Sequence, residues 1–289
     1  MMAAPLRASR AAIAHHYDVS NDFYALWLDP TRAYSCALWA EGDDLHRAQV
    51  RKLDYHIDQA RAEGVNRLLD VGCGWGGLLK QAVTRRGVHQ AVGLTLSSDQ
   101  RDFIRGFGLS NIDVLLQDWG SYHPTDTFDA LISVGAFGHV ARYGIPHEQK
   151  LGAYRAFFEV SHKLLAPGAW LSLQTMAYGD LPPKKVFSDL FIAKEIFPES
   201  DFPRLSEIAE ACDGLFEIKL VRNDREDYAR TYREWFTRLR ERRDEAVQIV
   251  GEPVVSRYER YLRTFSYSFE LGAFTLLRIT MKRIDRTRH

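Results

Sequence analysis

The residues best placed to do chemistry gather around a glycine-spaced turn. In "LLDVGCGWGG", Leu68 to Gly77, Asp70 stands two residues before Gly72, and Gly72, Gly74 and Gly77 keep the G-x-G-x-x-G spacing of nucleotide-binding turns. Such a turn serves a pyrophosphate, a nucleoside without phosphate, or packing alone, and its surroundings decide which. A dinucleotide site carries an acid at the end of its second strand to hold a ribose. Here the second apolar run ends "VGLTLSSDQ", and Asp99 comes late, already inside the next helix. The acid instead closes the first strand, where Asp70 can organise the loop or meet a bound amino group. "LQDWG" adds a carboxylate, Asp118, and an indole, Trp119, a pair suited to the edge and face of an adenine. These features favour S-adenosylmethionine over a nicotinamide cofactor or a purely structural turn.

Three further side chains are candidates for catalysis. His139 follows the fourth apolar run, and its neutral imidazole takes a proton near neutral pH; capping the next loop is the alternative. Cys36 polarises a ligand or fills a small buried space. Tyr228 orients a polar group through its hydroxyl or packs a helix. His15 and His16 are adjacent but have no third ligand at a recognisable spacing, so no metal is expected. Phe187, Phe191, Phe197 and Phe202 line an apolar acceptor pocket or form ordinary core. "RLRERRDE" reads as a solvated helix face.

The elements that position these residues follow from periodicity. Residues 1–60 read as a helical arm broken near Asp29-Pro30, with "RAQVRKLDYHIDQA" at helical spacing. From residue 61, short apolar runs alternate with helices: "NRLLDVG", "QAVGLTL", "NIDVLLQD", "FDALISVGA" and "AWLSLQTMA" as strands, "LLKQAVTRR", "SSDQRDFIRGF" and "EQKLGAYRAFFEVSHKLLAPG" as helices. The alternation predicts an α/β, parallel, doubly wound sheet whose ligand lies beyond the carboxyl ends of the first strands. A proline-rich segment at about 178–213 reads as a lid inserted over the site. "LFEIKLVRN" resumes the sheet, "YARTYREWFTRLRERRDEAVQIV" reads as one long helix, and "AFTLLRITMKR" as a terminal strand.

Composition narrows the partners. Lys plus Arg and Asp plus Glu both total 38, so the 289-residue chain carries no basic excess for a nucleic acid. Its 46% apolar content fills an ordinary core. The three cysteines, Cys36, Cys73 and Cys212, lie far apart and suggest no disulfide framework, which fits a cytoplasmic protein. No run approaches the roughly 20 apolar residues of a membrane span, so any membrane contact is expected to be peripheral. A homo-oligomer is left open.

"HYDVSNDFYALWLDPTRAYSCALW", "LLDVGCGWGG", "GLTLSSDQ", "SVGAFGH", "EIFPESDFP" and "DYARTYREW" together resemble the cyclopropane-fatty-acid synthase and mycolic-acid cyclopropane synthase family, from about His16 to the last strand. The resemblance implies a class I methyltransferase, Rossmann-like sheet, S-adenosylmethionine as donor, and an acceptor with a carbon–carbon double bond, usually on a lipid. It places Tyr34 and Ser35 over the methionine end of the cofactor, Gly72 and Gly74 beneath it, Thr95, Leu96 and Gln100 around the ribose, and Trp119 by the adenine. It also implies a cradle for a bicarbonate base, built from a cysteine, a glutamate, a histidine and a tyrosine. This chain keeps Cys36 and Tyr228 but has Gly138 in place of the glutamate and Gln174 in place of the histidine. Cyclopropanation is therefore not the expected reaction. C-methylation of an alkene, ending in proton loss or ring closure, is expected instead, in a pocket enlarged by loss of the glutamate and on a small-molecule or lipid-like acceptor of specialised metabolism. N-methylation, a cyclopropane synthase with a rebuilt base, and a non-catalytic cofactor-binding protein are the alternatives.

Overall fold

The computed structural model describes residues 20–180 and 200–285. The strands are β1 (Arg67–Val71), β2 (Gln90–Thr95), β3 (Ile112–Leu116), β4 (Phe128–Val134), β5 (Leu165–Tyr178), β6 (Phe216–Asn223) and β7 (Phe274–Arg283). The helices are α1 (Asn21–Trp27), α2 (Leu45–Gln59), α3 (Gly77–Arg85), α4 (Ser98–Arg105), α5 (His147–Leu164), α6 (Leu205–Cys212), α7 (Arg225–Glu241), α8 (Arg243–Val250) and α9 (Glu252–Glu270). One sheet takes the order β3-β2-β1-β4-β5-β7-β6. The chain winds outward from β1 to β3, then returns to place β4 on the other side of β1. That reversal opens a crevice beyond the carboxyl ends of β1 and β4.

The sheet is not wholly parallel, as the alternation alone predicted. β7 enters antiparallel between β5 and β6. The reason is where the chain re-enters. The first residue of β7, Phe274, pairs with the last residue of β5, Tyr178. Helices α7 to α9 thus leave and return at the same end of the sheet, and the next strand must run back. The expected single helix over 228–250 is also two helices, since Arg242 leaves helical geometry at φ −115° and ψ 27°. α9 was not foreseen, although Gly251 at φ +82° followed by Pro253 near its first turn is a start signal.

The N-terminal part is less helical than its periodicity suggests. After α1 the side chain of Asp29 accepts from the Thr31 amide at 3.0 Å and the Thr31 hydroxyl at 2.8 Å, closing a turn at Asp29-Pro30. An irregular strap then runs to Asp44, which caps α2 by accepting from the Arg47 amide at 2.8 Å. α2 buries Leu45, Ala48, Gln49, Lys52, Leu53, His56 and Ile57, a helical stripe with three polar members. Gln49 donates to the carbonyls of Ala33 and Ser35 at 3.2 and 2.9 Å and fixes the strap against the helix. Aromatic rings from α1, the strap, α7 and α9 fill the space beneath it, with Trp27 packed against Tyr34 and Trp235.

The segment expected as a lid lies mostly outside the described residues, and with it Phe187, Phe191 and Phe197, as do His15 and His16. Its tail is described. There α6 buries Ile208, Ala211 and Cys212 in the same core cluster as Phe157 and Phe158 of α5. This part forms the crossover from β5 to β6. Among the described residues no helix is long and apolar enough to cross a membrane, and no group of His, Cys, Asp or Glu is arranged to hold a metal.

The buried guanidinium of Arg278 on β7 links four parts of this frame: Asp224 after β6, Gln174 of β5, and the Cys36 and Ala37 carbonyls of the strap. Removing Arg278 would leave three buried carbonyl-type acceptors without their donor and Asp224 with Arg222 alone, and breaking a buried ion pair costs about 3–5 kcal/mol. Arg278→Met should therefore lower unfolding free energy by about that amount in urea titrations. A loss below about 1 kcal/mol would show that Arg222 and water satisfy the acceptors that Arg278 leaves.

Candidate active site

A cavity of about 170 Å³ opens beyond the carboxyl ends of β1, β2 and β4. It gathers every residue singled out for the cofactor. β1 and its turn contribute Asp70, Gly72 and Gly74; β2 contributes Thr95 and Leu96; α4 contributes Gln100. Asp118 and Trp119 come from the loop after β3, and Tyr34 and Ser35 from the strap. His139, after β4, lines it too.

The three motif glycines have different duties. A Cβ on Gly72, at φ +82°, would stand 2.5 Å from the Ala136 Cβ, so this glycine lets the loops after β1 and β4 pack together. A Cβ on Gly77 would stand 2.5 Å from the Thr31 carbonyl oxygen, so this one admits the strap. Only at Gly74, φ +53°, does the added carbon meet nothing within 4 Å. The spacing thus records two close protein contacts and one open wall.

Local bonds orient the other walls. Ser97 caps α4 by accepting from the Gln100 amide at 3.2 Å. The Thr95 hydroxyl donates to Gln100 Oε1 at 2.7 Å, which holds that amide side chain at the cavity edge. Asp118 accepts from the Gly120 amide at 2.8 Å and closes a short helical turn. Trp119 stands edge-on to Phe157, with ring centroids 5.2 Å apart.

One lining residue escaped the sequence reading. Lys52 of α2 donates from Nζ to Ser35 Oγ at 2.9 Å. It is 2% exposed, and burial draws its pKa down to about 8. Asp70 is 3% exposed, and burial pushes it up to about 7 against the opposing charge of Lys52. The signal was present: Lys52 sits four residues from both Ala48 and His56, on the buried stripe of an otherwise amphipathic helix. A lysine there needs a polar partner.

A second, smaller cavity of about 30 Å³ adjoins the first and shares Tyr34, Ser35, Gly135 and His139 with it. Gly138, Gln174, Met176, Phe202, Tyr228 and Tyr261 also line it. His139 Nδ1 lies 2.7 Å from Ser200 Oγ, and burial lowers the imidazole to about 4, so the ring is neutral at physiological pH. Tyr228 stacks on Tyr232, with centroids 4.6 Å apart. Cys36 lines neither cavity. Its Sγ donates to the Ala37 carbonyl at 3.1 Å, and burial raises the thiol to about 12. Its place is that of the buried filler, not of a group facing a ligand.

The pocket is not enlarged where the glutamate is missing. A Cβ on Gly138 would meet the Phe202 ring at 3.2 Å. Phe202 occupies the space beside Gly138, and it is 1% exposed. Gln174 Oε1 accepts from Arg278 Nε at 2.9 Å and faces His56 Nε2 at 3.1 Å. His56, for its part, is held neutral by burial and by the nearby Arg278 charge.

The strand order, the antiparallel β7 and the cavity at the reversal between β1 and β4 define a class I methyltransferase. The family model for mycolic acid cyclopropane synthetase matches residues 5–279. The chain is 31% identical to cyclopropane mycolic acid synthase 1 of Mycobacterium tuberculosis, covering 96% of this chain and 99% of that one. It is 35% identical to a probable fatty acid methyltransferase of Pseudomonas putida, over 94% of this chain and 69% of that one. The crystal structure of mycolic acid cyclopropane synthase CmaA1 complexed with SAH and CTAB superposes with a TM-score of 0.85 at 31% identity, over 96% of this chain and 99% of that one. The chain belongs to the mycolic acid cyclopropane synthetase family, and it is an S-adenosylmethionine-dependent methyltransferase.

The raised pKa of Asp70 sets a pH dependence. Between its ordinary value near 3.8 and about 7, the folded chain keeps a proton that the unfolded chain has lost. Stability then falls as pH rises through that window. Lys52 adds no slope there, because it stays protonated in both states below about 8. The ligand-free protein should lose about 2 kcal/mol more between pH 5 and 7 than its Asp70→Asn variant, read from urea unfolding at the two pH values. Parallel curves for the two proteins would mean that the carboxyl is ionised throughout.

Proposed function

We propose that this enzyme transfers a methyl group to a carbon of an apolar acceptor, small-molecule or lipid-like, at a carbon–carbon double bond, in specialised metabolism. The observation that carries the reading is the rebuilt smaller cavity. Phe202 covers Gly138, and the Gln174 amide is tied to Arg278 and His56. Neither position offers the acid or base that the family resemblance implies for an anion cradle, which supports a reaction that does without one. The cofactor supplies an electrophilic methyl on a sulfonium. The larger cavity suits it, since the wall at Gly74 is open and a carboxyl, an ammonium and a hydroxyl stand together at Asp70, Lys52 and Ser35. Asp70 and Ser35 would hold its amino-acid end, Thr95, Leu96 and Gln100 its ribose, and Asp118 and Trp119 its adenine.

The chain's own contribution to transfer is positioning. Tyr34, Ser35, Gly135 and His139 stand at the junction of the two cavities, so a methyl crossing that junction leaves one and enters the other. Tyr228, Tyr261, Phe202 and Met176 offer an apolar, aromatic surface to the acceptor and exclude water. His139, neutral and oriented by Ser200, takes the proton released after transfer. Membership of the family favours a second reading, ring closure on an unsaturated acyl chain with His139 or Tyr228 replacing the cradle.

A trideuteromethyl donor separates the two readings. Methylation with proton loss from the acceptor retains three deuterons in the product, whereas ring closure retains two, and mass spectrometry tells them apart. Retention of three is expected. In calorimetry S-adenosylhomocysteine should bind the wild type and fail to bind Gly74→Val, because a branched side chain at positive φ strains the turn and enters the cavity. Unchanged affinity in that variant would remove Gly74 from the cofactor wall.

If His139 is the base, His139→Ala should lower kcat by about 10²–10⁴ while leaving S-adenosylhomocysteine affinity intact. Near-wild-type turnover with a lower melting temperature would instead make it a cap for the Ser200 segment.

A further inference from the structure

We infer that the Gln174 side-chain amide binds an oxygen of the methyl acceptor, so that the acceptor is an enolised carbonyl compound rather than a plain alkene. The inference rests on the methyl-transfer reading above and names its substrate class.

Strand alternation puts Ser172, Gln174 and Met176 on one face of β5, opposite Thr280, Arg278 and Leu276 of β7. Gln174, Met176 and Leu276 line the smaller cavity together. Gln174 is 1% exposed. Its amide orientation follows from its neighbours. Arg278 has only donors, so the Gln174 atom 2.9 Å from its Nε is the oxygen. The same oxygen lies 3.1 Å from His56 Nε2, so that nitrogen carries the hydrogen. His56 Nδ1 then accepts from the Ser172 hydroxyl at 2.8 Å. Both lone pairs of Oε1 are used.

What remains of Gln174 is its NH₂ group, and among the described residues no acceptor meets it. Met176, Leu276 and Phe202, which line the same cavity, are apolar. An unmatched donor at a buried cavity selects a ligand that brings an oxygen lone pair. The charge of Arg278 on the amide oxygen polarises the group and strengthens that donor. Such an oxygen, attached to the carbon that takes the methyl's neighbouring position, makes the double bond electron-rich and replaces the need for an anion cradle.

The step balances. The enol O–H proton passes to His139, and its electron pair forms the carbonyl. The carbon–carbon π pair forms the new bond to the methyl, and the sulfur–methyl pair returns to sulfur. Sulfonium, enol and neutral imidazole become thioether, ketone and imidazolium. Gln174 keeps its hydrogen bond to the oxygen throughout.

Calorimetry on protein saturated with S-adenosylhomocysteine tests this. The probes are an alkyl 1,3-diketone, whose internally closed enol turns its oxygen lone pairs outward, and a branched alkene of matched shape. The wild type should bind the diketone about 10- to 100-fold more tightly. Gln174→Glu keeps an oxygen for Arg278 and His56 but replaces the donor with an acceptor, and it should lose that preference. The Gln174 side-chain amide resonance in ¹⁵N spectra gives a second readout without substitution: it should shift with the diketone and not with the alkene. Equal binding of the two probes, an unmoved resonance, or a preference that survives in the variant overturns the inference while leaving methyl transfer standing. Failure of S-adenosylhomocysteine to bind at all overturns both.

Discussion

Arg278 lies on β7 with none of its surface exposed, and a guanidinium brings five N–H donors that all need acceptors. Four acceptors meet it: Asp224, the Gln174 amide oxygen, and the Cys36 and Ala37 carbonyls. Taking such a charge out of water is so costly that the arrangement tolerates little displacement of any partner. Asp224 is held below the usual carboxylate range: burial opposes this, and the hydrogen bonds from Arg222 and the charge of Arg278 outweigh it. The consequence reaches the site from two directions. The strap carrying Tyr34 and Ser35 is fixed through its next two carbonyls, and the Gln174 amide is fixed in orientation beside the smaller cavity.

α2 secures the same strap from the opposite side. Gln49 and Lys52 bind its backbone and the Ser35 hydroxyl, while His56 reaches past it to Ser172 and Gln174. The polar members of one helical stripe therefore share a single task with the guanidinium. An irregular segment, which has no ladder of its own, is held by side chains from a helix and a strand instead. Gly77 completes this, because only a residue without a Cβ lets the Thr31 carbonyl lie against the start of α3.

Much of this was legible in the sequence, for identifiable reasons. β1 to β5 announced themselves through short apolar runs closed by glycine or polar caps; Asp70, Gly72, Gly74, Asp118 and Trp119 followed from where those runs ended, whereas Tyr34, Ser35, Thr95, Leu96 and Gln100 came from the family resemblance. Each of these ten residues lines the cavity. The antiparallel β7 was hidden because direction depends on which end of the sheet α9 delivers the chain to, and no local pattern encodes that. α9 was overlooked although its start signals are ordinary. Lys52 was missed because a buried lysine reads as a break in amphipathicity until its partners, Ser35 and Asp70, are brought near by folding. The filling of the Gly138 space by Phe202 was invisible for the same reason, since the two are 64 positions apart, counting from 138 to 202. Composition at one position says what is absent there, and only packing says what has taken its place.

The two cavities differ electrostatically in a way that suits a reaction crossing between them. The larger holds groups that change charge near neutral pH, Asp70 at about 7 and Lys52 at about 8. Where it meets the smaller, burial keeps the shared groups neutral: His139 far below its ordinary value, and Tyr34 well above its own. On the proposed reading, a cationic methyl donor would be held on the first side by carboxyl and hydroxyl. On the second side it meets no fixed charge to stabilise it. Charge that is spread over sulfur, methyl and acceptor in the transition state needs less solvation than charge concentrated on sulfur alone. Neutral walls at the receiving end would therefore disfavour the reactant more than the transition state. In that setting an oriented N–H dipole would act without bringing a net charge of its own, which a carboxylate at the Gly138 position would bring.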